Sequence, residues 1–217
     1  MSTALKQDLV SSDLASSEKP RFTYSDYLTW DDKTRWELID GVPYAMAAPS
    51  VTHQEIVLEL AVQFKSFLRG RQCRVIIAPF DVRLYTATID NTIVQPDLLV
   101  VCDPSKTEDG KSCKGAPDLV VEVLSPSTGK HDQVAKFRLY QKAGVREYWI
   151  VDPGLKTIAV YVFEPENLSM RYYDDTESIP VHVLEGCNID LVPVFESIQS
   201  EGDKSDLPES PVPSSPE

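Results

Sequence analysis

The run Pro117-Asp-Leu-Val-Val-Glu-Val-Leu-Ser-Pro-Ser-Thr128 sets the tightest condition on the fold. Leu119, Val120, Val121, Val123 and Leu124 are β-prone and fall on both faces of the strand they would form, so that strand must be covered on both sides. Glu122 stands within it. A carboxylate there is costly unless its charge is compensated, and a metal ion is one of the few compensations that fit. Gln95-Pro-Asp-Leu-Leu-Val-Val101 has the same form: proline, then Asp97, then an apolar strand. The two runs read as neighbouring strands carrying a two-carboxylate site. On these residues alone it stays open that both acids are hydrogen-bonded strand-end residues.

A chain of 217 residues with 42% apolar content can bury one sizeable core, so one domain with tails is expected. Residues 1–20 carry no periodic pattern, and 198–217 are Ser, Pro and acid. Both are expected to be disordered, leaving a domain over 21–197. No apolar run is long enough for a membrane span and the N-terminus lacks the form of a secretory signal, so a cytoplasmic protein is expected. Cys73, Cys102, Cys113 and Cys187 are scattered, without paired spacing, and are expected to be reduced and structural. The net charge is −13, of which −8 falls on 21–197; this acidic body does not advertise a nucleic-acid surface.

Along the chain, Thr23 is placed to cap a short helix. Asp40-Gly41 between Arg35–Ile39 and Val42–Met46 signals a hairpin, with Pro43 marking an edge strand. Thr52 and Glu55 have capping-box spacing ahead of an apolar stripe at Ile56, Leu60, Phe64, Phe67 and Leu68, and His53 falls in that helix's first turn. Strands are expected at 74–78, 81–85 and 94–102, followed by a polar loop over 104–115. After the organising strand come a helix over roughly 130–143, with Val134, Phe137, Leu139 and Tyr140 on its apolar side, and strands at 147–152, 157–163, 170–173, 181–183 and 189–191. This order suggests an α/β arrangement around a mixed sheet.

If the two acid-bearing strands are neighbours, Asp97 and Glu122 converge at one end of the sheet. A carboxylate pair suits a hard divalent ion, which can polarise a phosphoryl oxygen and activate water, and a nearby lysine would orient that water and offset developing charge. Asp97 after Pro96, with Glu122 one strand later, resembles the PD-(D/E)XK nuclease superfamily. More narrowly, Trp36-Glu-Leu-Ile-Asp-Gly-Val42, the organising run, and Gly144-Val-Arg-Glu-Tyr-Trp-Ile-Val-Asp-Pro153 resemble the Uma-type branch of restriction-endonuclease-like proteins, over roughly residues 22–196.

The resemblance implies a restriction endonuclease-like core: a mixed β-sheet flanked by helices, with extra β-hairpins. It implies an endonuclease dependent on Mg²⁺ (or Mn²⁺) that cuts nucleic acid, DNA being the expected substrate, and that acts as a homodimer. Asp97 and Glu122 would be the metal pair and Glu37 an additional acid. The motif places lysine two residues after the acid, where this chain has Leu124. Lys136, on the following helix, is the substitute candidate and Lys130 the second; His53 and Gln133 are accessory candidates. Each has a plainer reading: Glu37 paired with Arg35 or Arg83, His53 as a capping or surface residue, Lys136 as a solvated helix residue. Leu124 and the acidic body motivate the alternative of a catalytically inactive nuclease-fold protein serving as a binding or assembly module.

Overall fold

A computed structural model describes residues 21–31, 34–86, 89–125, 130–165, 167–196 and 198, with the side chains of 130–133 left out. The expected tails at 1–20 and 199–217 lie outside the described residues.

In chain order the elements are α1 (Tyr24–Tyr27), β1 (Trp36–Ile39), β2 (Val42–Ala45), α2 (Val51–Phe67), β3 (Arg74–Ile77), β4 (Asp81–Arg83), β5 (Ile93–Val94), β6 (Leu98–Val101), a 3₁₀ turn (Pro104–Thr107), β7 (Ser112–Lys114) and β8 (Leu119–Val123). There follow α3 (Lys130–Ala143), β9 (Glu147–Asp152), β10 (Thr157–Glu164), β11 (Asn167–Asp174), β12 (Ser178–Pro180), β13 (Asn188–Asp190) and α4 (Leu191–Glu196). A six-stranded sheet has the order β11-β10-β9-β8-β6-β3, and a five-stranded sheet the order β2-β1-β5-β4-β7. In the larger sheet β8 and β9 pair in parallel and the other pairs are antiparallel. A parallel pair needs a crossover, and α3 supplies it. The architecture is therefore mixed α/β, as the sequence implies.

The core has two halves, one on each face of the six-stranded sheet. On one face Ile56, Leu60 and Phe64 of α2 pack with Leu98, Val100, Leu119, Val121 and Trp149. On the other, Leu139 and Tyr140 of α3 pack with Leu99, Val101 and Val120, together with Val82 and Val94 of the smaller sheet. The period-2 alternation along β6 and β8 feeds both halves, which is why these strands read as continuous apolar runs. It also fixes where the acid goes, because Glu122 shares the face of Val120, toward α3 and the smaller sheet.

Several expectations hold. Asp40 and Gly41 both have positive φ, at 50° and 77°, the backbone that a tight hairpin turn demands. A Cβ on Gly41 would fall 2.9 Å from that of Arg21. Pro43 lies in an edge strand, and Thr23 caps α1 in a reciprocal box with Asp26.

Other details are corrected. The N-cap of α2 is Ser50, whose Oγ accepts from the His53 N–H, rather than Thr52. The single strand expected over 94–102 is broken by Gln95-Pro96-Asp97, where Pro96 has no N–H to give a ladder. The polar loop at 104–115 holds the 3₁₀ turn and β7, which pairs in parallel with β4. The final strands lie at Ser178–Pro180 and Asn188–Asp190, and they are followed by a helix the sequence reading missed; Pro193 sits in its first turn, where proline is tolerated. Val134 is exposed rather than part of the α3 core face. Cys73 and Cys102 form a disulfide beside the Arg74–Val101 pair of β3 and β6, so these two are not reduced; Cys113 and Cys187 are free and buried. Among the described residues no helix is long and apolar enough to cross a membrane.

Candidate active site

The register of β6 against β8 pairs Leu98 with Val121, and one further step along that ladder sets Asp97 opposite Glu122. Asp97 Oδ2 accepts from the Val123 N–H at 2.8 Å, which ties it to the strand that carries Glu122. The same oxygen meets His53 Nε2 at 3.1 Å, reaching across from the first turn of α2. The break that stops β6 short at Leu98 thus lets Asp97 point along the rim rather than into either core half.

Glu122 is met from α3. Lys136 Nζ lies 3.1 Å from its Oε1, and the Tyr140 hydroxyl donates to that oxygen at 2.6 Å. Lys136 and Tyr140 are four apart and share one face of α3. The same ammonium lies 3.1 Å from Glu37 Oε2, so two carboxylates from different sheets hold one lysine that is only 9% exposed. Glu37 is steadied by the Gln95 N–H, 2.9 Å from Oε1. The Gln95 side chain reaches further: its Oε1 accepts from Arg35 Nε at 3.0 Å and Nη2 at 2.8 Å, and its Nε2 donates to half-buried Asp81 at 2.9 Å.

Glu37, His53, Asp97, Glu122, Lys136 and Arg35 all line one cleft of about 620 Å³. Its charged lining sets three carboxylates beside Lys136, Arg35 and His53. Burial, offset in part by Lys136 and reinforced by the charges of Asp97 and Glu37, pushes the Glu122 carboxyl up to about 7. Burial works against the charged form of His53, but the hydrogen bond and charge of Asp97 and the charge of Glu122 outweigh it and raise its pKa. Burial and the adjacent Glu122 hold the Tyr140 hydroxyl protonated. His53 Nδ1 is buried without a hydrogen-bond partner among the described residues, so a neutral ring carries its proton on Nε2, toward Asp97.

The structure therefore brings together Glu37, His53, Asp97, Glu122 and Lys136. The side chains of Lys130 and Gln133, both on α3, lie outside the described residues. Leu124 stands at the motif's lysine position and is half-buried. Glu37 pairs with Lys136 rather than Arg35 or Arg83, and Arg83 is taken by Asp90. Asp118 is elsewhere, accepting from the Cys102 N–H at 2.7 Å and meeting Arg146. The sequence reading missed Arg35, Gln95 and Tyr140 as site residues. A signal was there: Arg35 and Gln95 each stand two before a candidate acid, the spacing that returns to one face of an extended chain. Among the described residues no group of three or more His, Cys, Asp and Glu converges as a metal cage.

Comparison with known proteins gives a family match, two relatives and a shared fold. Residues 24–192 match the model of Uma2, described as "Putative restriction endonuclease". The uncharacterised protein slr1290 of Synechocystis sp. is 35% identical over 151 residues, covering 67% of this chain and 76% of the relative. A second uncharacterised Synechocystis protein, sll1609, is 26% identical over 134 residues, covering 60% and 74%. A crystal structure from Anabaena variabilis, described as "a putative nuclease belonging to DUF820", shares the fold with a TM-score of 0.65 and 20% identity, over 81% of this chain and 98% of that one.

Proposed function

Because the chain belongs to the Uma2 family of restriction-endonuclease-like proteins, we propose that it is a divalent-metal-dependent endonuclease that hydrolyses phosphodiester bonds in nucleic acid, DNA being the substrate we assign, in the cytoplasm. The observation that carries this reading is that Glu37 and Glu122 share the buried ammonium of Lys136 while Asp97 is tied to the strand of Glu122 through the Val123 N–H, all in one cleft.

Mg²⁺ or Mn²⁺ fits this donor set. Three carboxylates line the cleft with Lys136, Arg35 and His53, and burial, with the charges of Asp97 and Glu37 behind it, raises the Glu122 pKa. Asp97 and Glu122 are the residues that would hold the ion, with Glu37 assisting. Bound there, it would supply Lewis acidity at the phosphoryl oxygen and make water a better nucleophile. The chain's own groups do the rest. Lys136 places positive charge where the pentavalent phosphorus gains negative charge and orients the attacking water. Glu37 and the Tyr140 hydroxyl hold Lys136 and Glu122 in register, while His53 buttresses Asp97. Arg35 has no carboxylate partner among the described ion pairs; its guanidinium is held at the cleft by a neutral amide and is suited to a phosphate oxygen of the substrate.

Purified protein with Mg²⁺ or Mn²⁺ is expected to nick supercoiled plasmid, and Asp97→Ala to slow nicking by a factor of about 100 or more. Equal nicking by the variant would overturn the reading.

One observation favours a second reading. Lys136 already neutralises Glu122, as it would in a module that no longer needs a metal. That reading expects no Mg²⁺ uptake in calorimetry, whereas the nuclease reading expects uptake that Asp97→Ala abolishes.

A further inference from the structure

Three large apolar side chains of α2 face solvent. Val51, Leu58 and Val62 are 75%, 60% and 50% exposed, and beside them Ile77 of β3 is 44% exposed. A shallow apolar cavity of about 350 Å³ opens between the helix and β3, lined by Ala61, Val62, Lys65, Ser66, Val75 and Ile77. β3 is the end strand of the six-stranded sheet, so no described strand closes this flank.

The exposed face has a pattern. At 3.6 residues per turn, Val51, Glu55, Leu58, Val62 and Lys65 fall within an arc of about 80°. Read from its two ends, the stripe is complementary to itself. When two copies are laid antiparallel about a point midway between Leu58 and Val62, Leu58 of one meets Val62 of the other and Glu55 meets Lys65. Two-fold symmetry makes each of these contacts twice. Acid early and base late also suits the helix dipole, but the dipole does not require them on the apolar stripe, flanking Leu58 and Val62.

We propose that this face of α2, with the cavity against β3, is a homodimer interface whose partner is a second copy of this chain with its helix antiparallel. The proposal does not depend on the catalytic reading. A stripe on one helix makes a small contact, so a weak dimer, of about micromolar strength, is expected. His53 lies on the same helix, and the antiparallel pairing offsets the two copies of His53 by fourteen residues, about 21 Å along the helix direction. The interface therefore sets the spacing of the two clefts.

The test is sedimentation velocity on the full chain in about 150 mM salt, from about 1 to 200 μM. The wild type is expected to dimerise across this range. Leu58→Asp and Val62→Asp, measured in parallel, are each expected to weaken the dimer at least tenfold; both positions are exposed, and circular dichroism checks that the fold is kept. Glu55→Lys and Lys65→Glu are each expected to weaken it as well, since each sets like charges opposite one another. Mixed together, these two charge variants should dimerise at wild-type concentrations, because every charged contact between them pairs an acid with a base. A wild type that stays monomeric throughout overturns the proposal. So does a dimer indifferent to the two aspartate substitutions, which would point to another face such as Leu168, Met170 and Tyr172 of β11, or a mixture no more dimeric than its components.

Discussion

Glu122 shows most clearly the conflict between stability and chemistry in this chain. Its carboxyl is pushed from the ordinary 4.5 up to about 7, first by burial and then by Asp97 and Glu37. A folded-state pKa above the unfolded one means that folding is favoured while the group is protonated. That contribution is fully present below about 4.5 and is lost as pH rises to about 7. At neutral pH, Glu122→Gln is therefore expected to stabilise the fold by about 1–2 kcal/mol, read as a melting temperature about 3–6 °C higher, while removing nuclease activity. A lower melting temperature would contradict the assignment. A metal must displace the same proton, so Mg²⁺ affinity is expected to rise about tenfold per pH unit below 7 and to level off above it, as checked by calorimetry at several pH values. At this scale the sequence was half legible. A lone acid in an apolar strand announces itself. Arg35, Gln95 and Tyr140 looked ordinary because their importance lies in which partner they reach, across 60, 58 and 18 positions of sequence.

The elements that position these groups are short, and their ends matter more than their middles. Ser50 caps α2 through the His53 N–H, so the cap and the candidate site share one turn. Ser50→Ala is expected to cost about 1 kcal/mol, seen as a fall of about 2–4 °C in thermal unfolding monitored by circular dichroism. An unchanged melting temperature would show that α2 is held from its buried face alone. Turn chemistry was well legible: Asp40-Gly41 names its hairpin because few other pairs accept two positive φ values in succession. The break at Gln95-Pro96-Asp97 was only half so: Pro96 is a local breaker, but the Gln95 N–H leaves the ladder for Glu37, a tertiary partner. α4 was hidden by Pro193, which reads as a breaker unless the helix is known to begin at Leu191.

For the whole molecule, the decisive arrangement is the meeting of two sheets along the face that α3 covers. Glu37 comes from one sheet and Glu122 from the other, and Lys136 joins them. Family resemblance carried that much into the sequence reading. The β6–β8 pairing was expected from the two acid-bearing runs, but the rest of the strand order, such as β3 beside β6, is a long-range choice that no local pattern encodes. The same pairing brings Cys73 beside Cys102, which scattered spacing in the sequence gave no reason to join. The account rests on whether this junction takes up a divalent cation. The most direct measurement is anomalous diffraction from crystals soaked in Mn²⁺. It is expected to show a peak within coordinating reach of both Asp97 and Glu122 that is absent from Asp97→Ala crystals. A cleft with no anomalous density, still bridged by Lys136 alone, would contradict it.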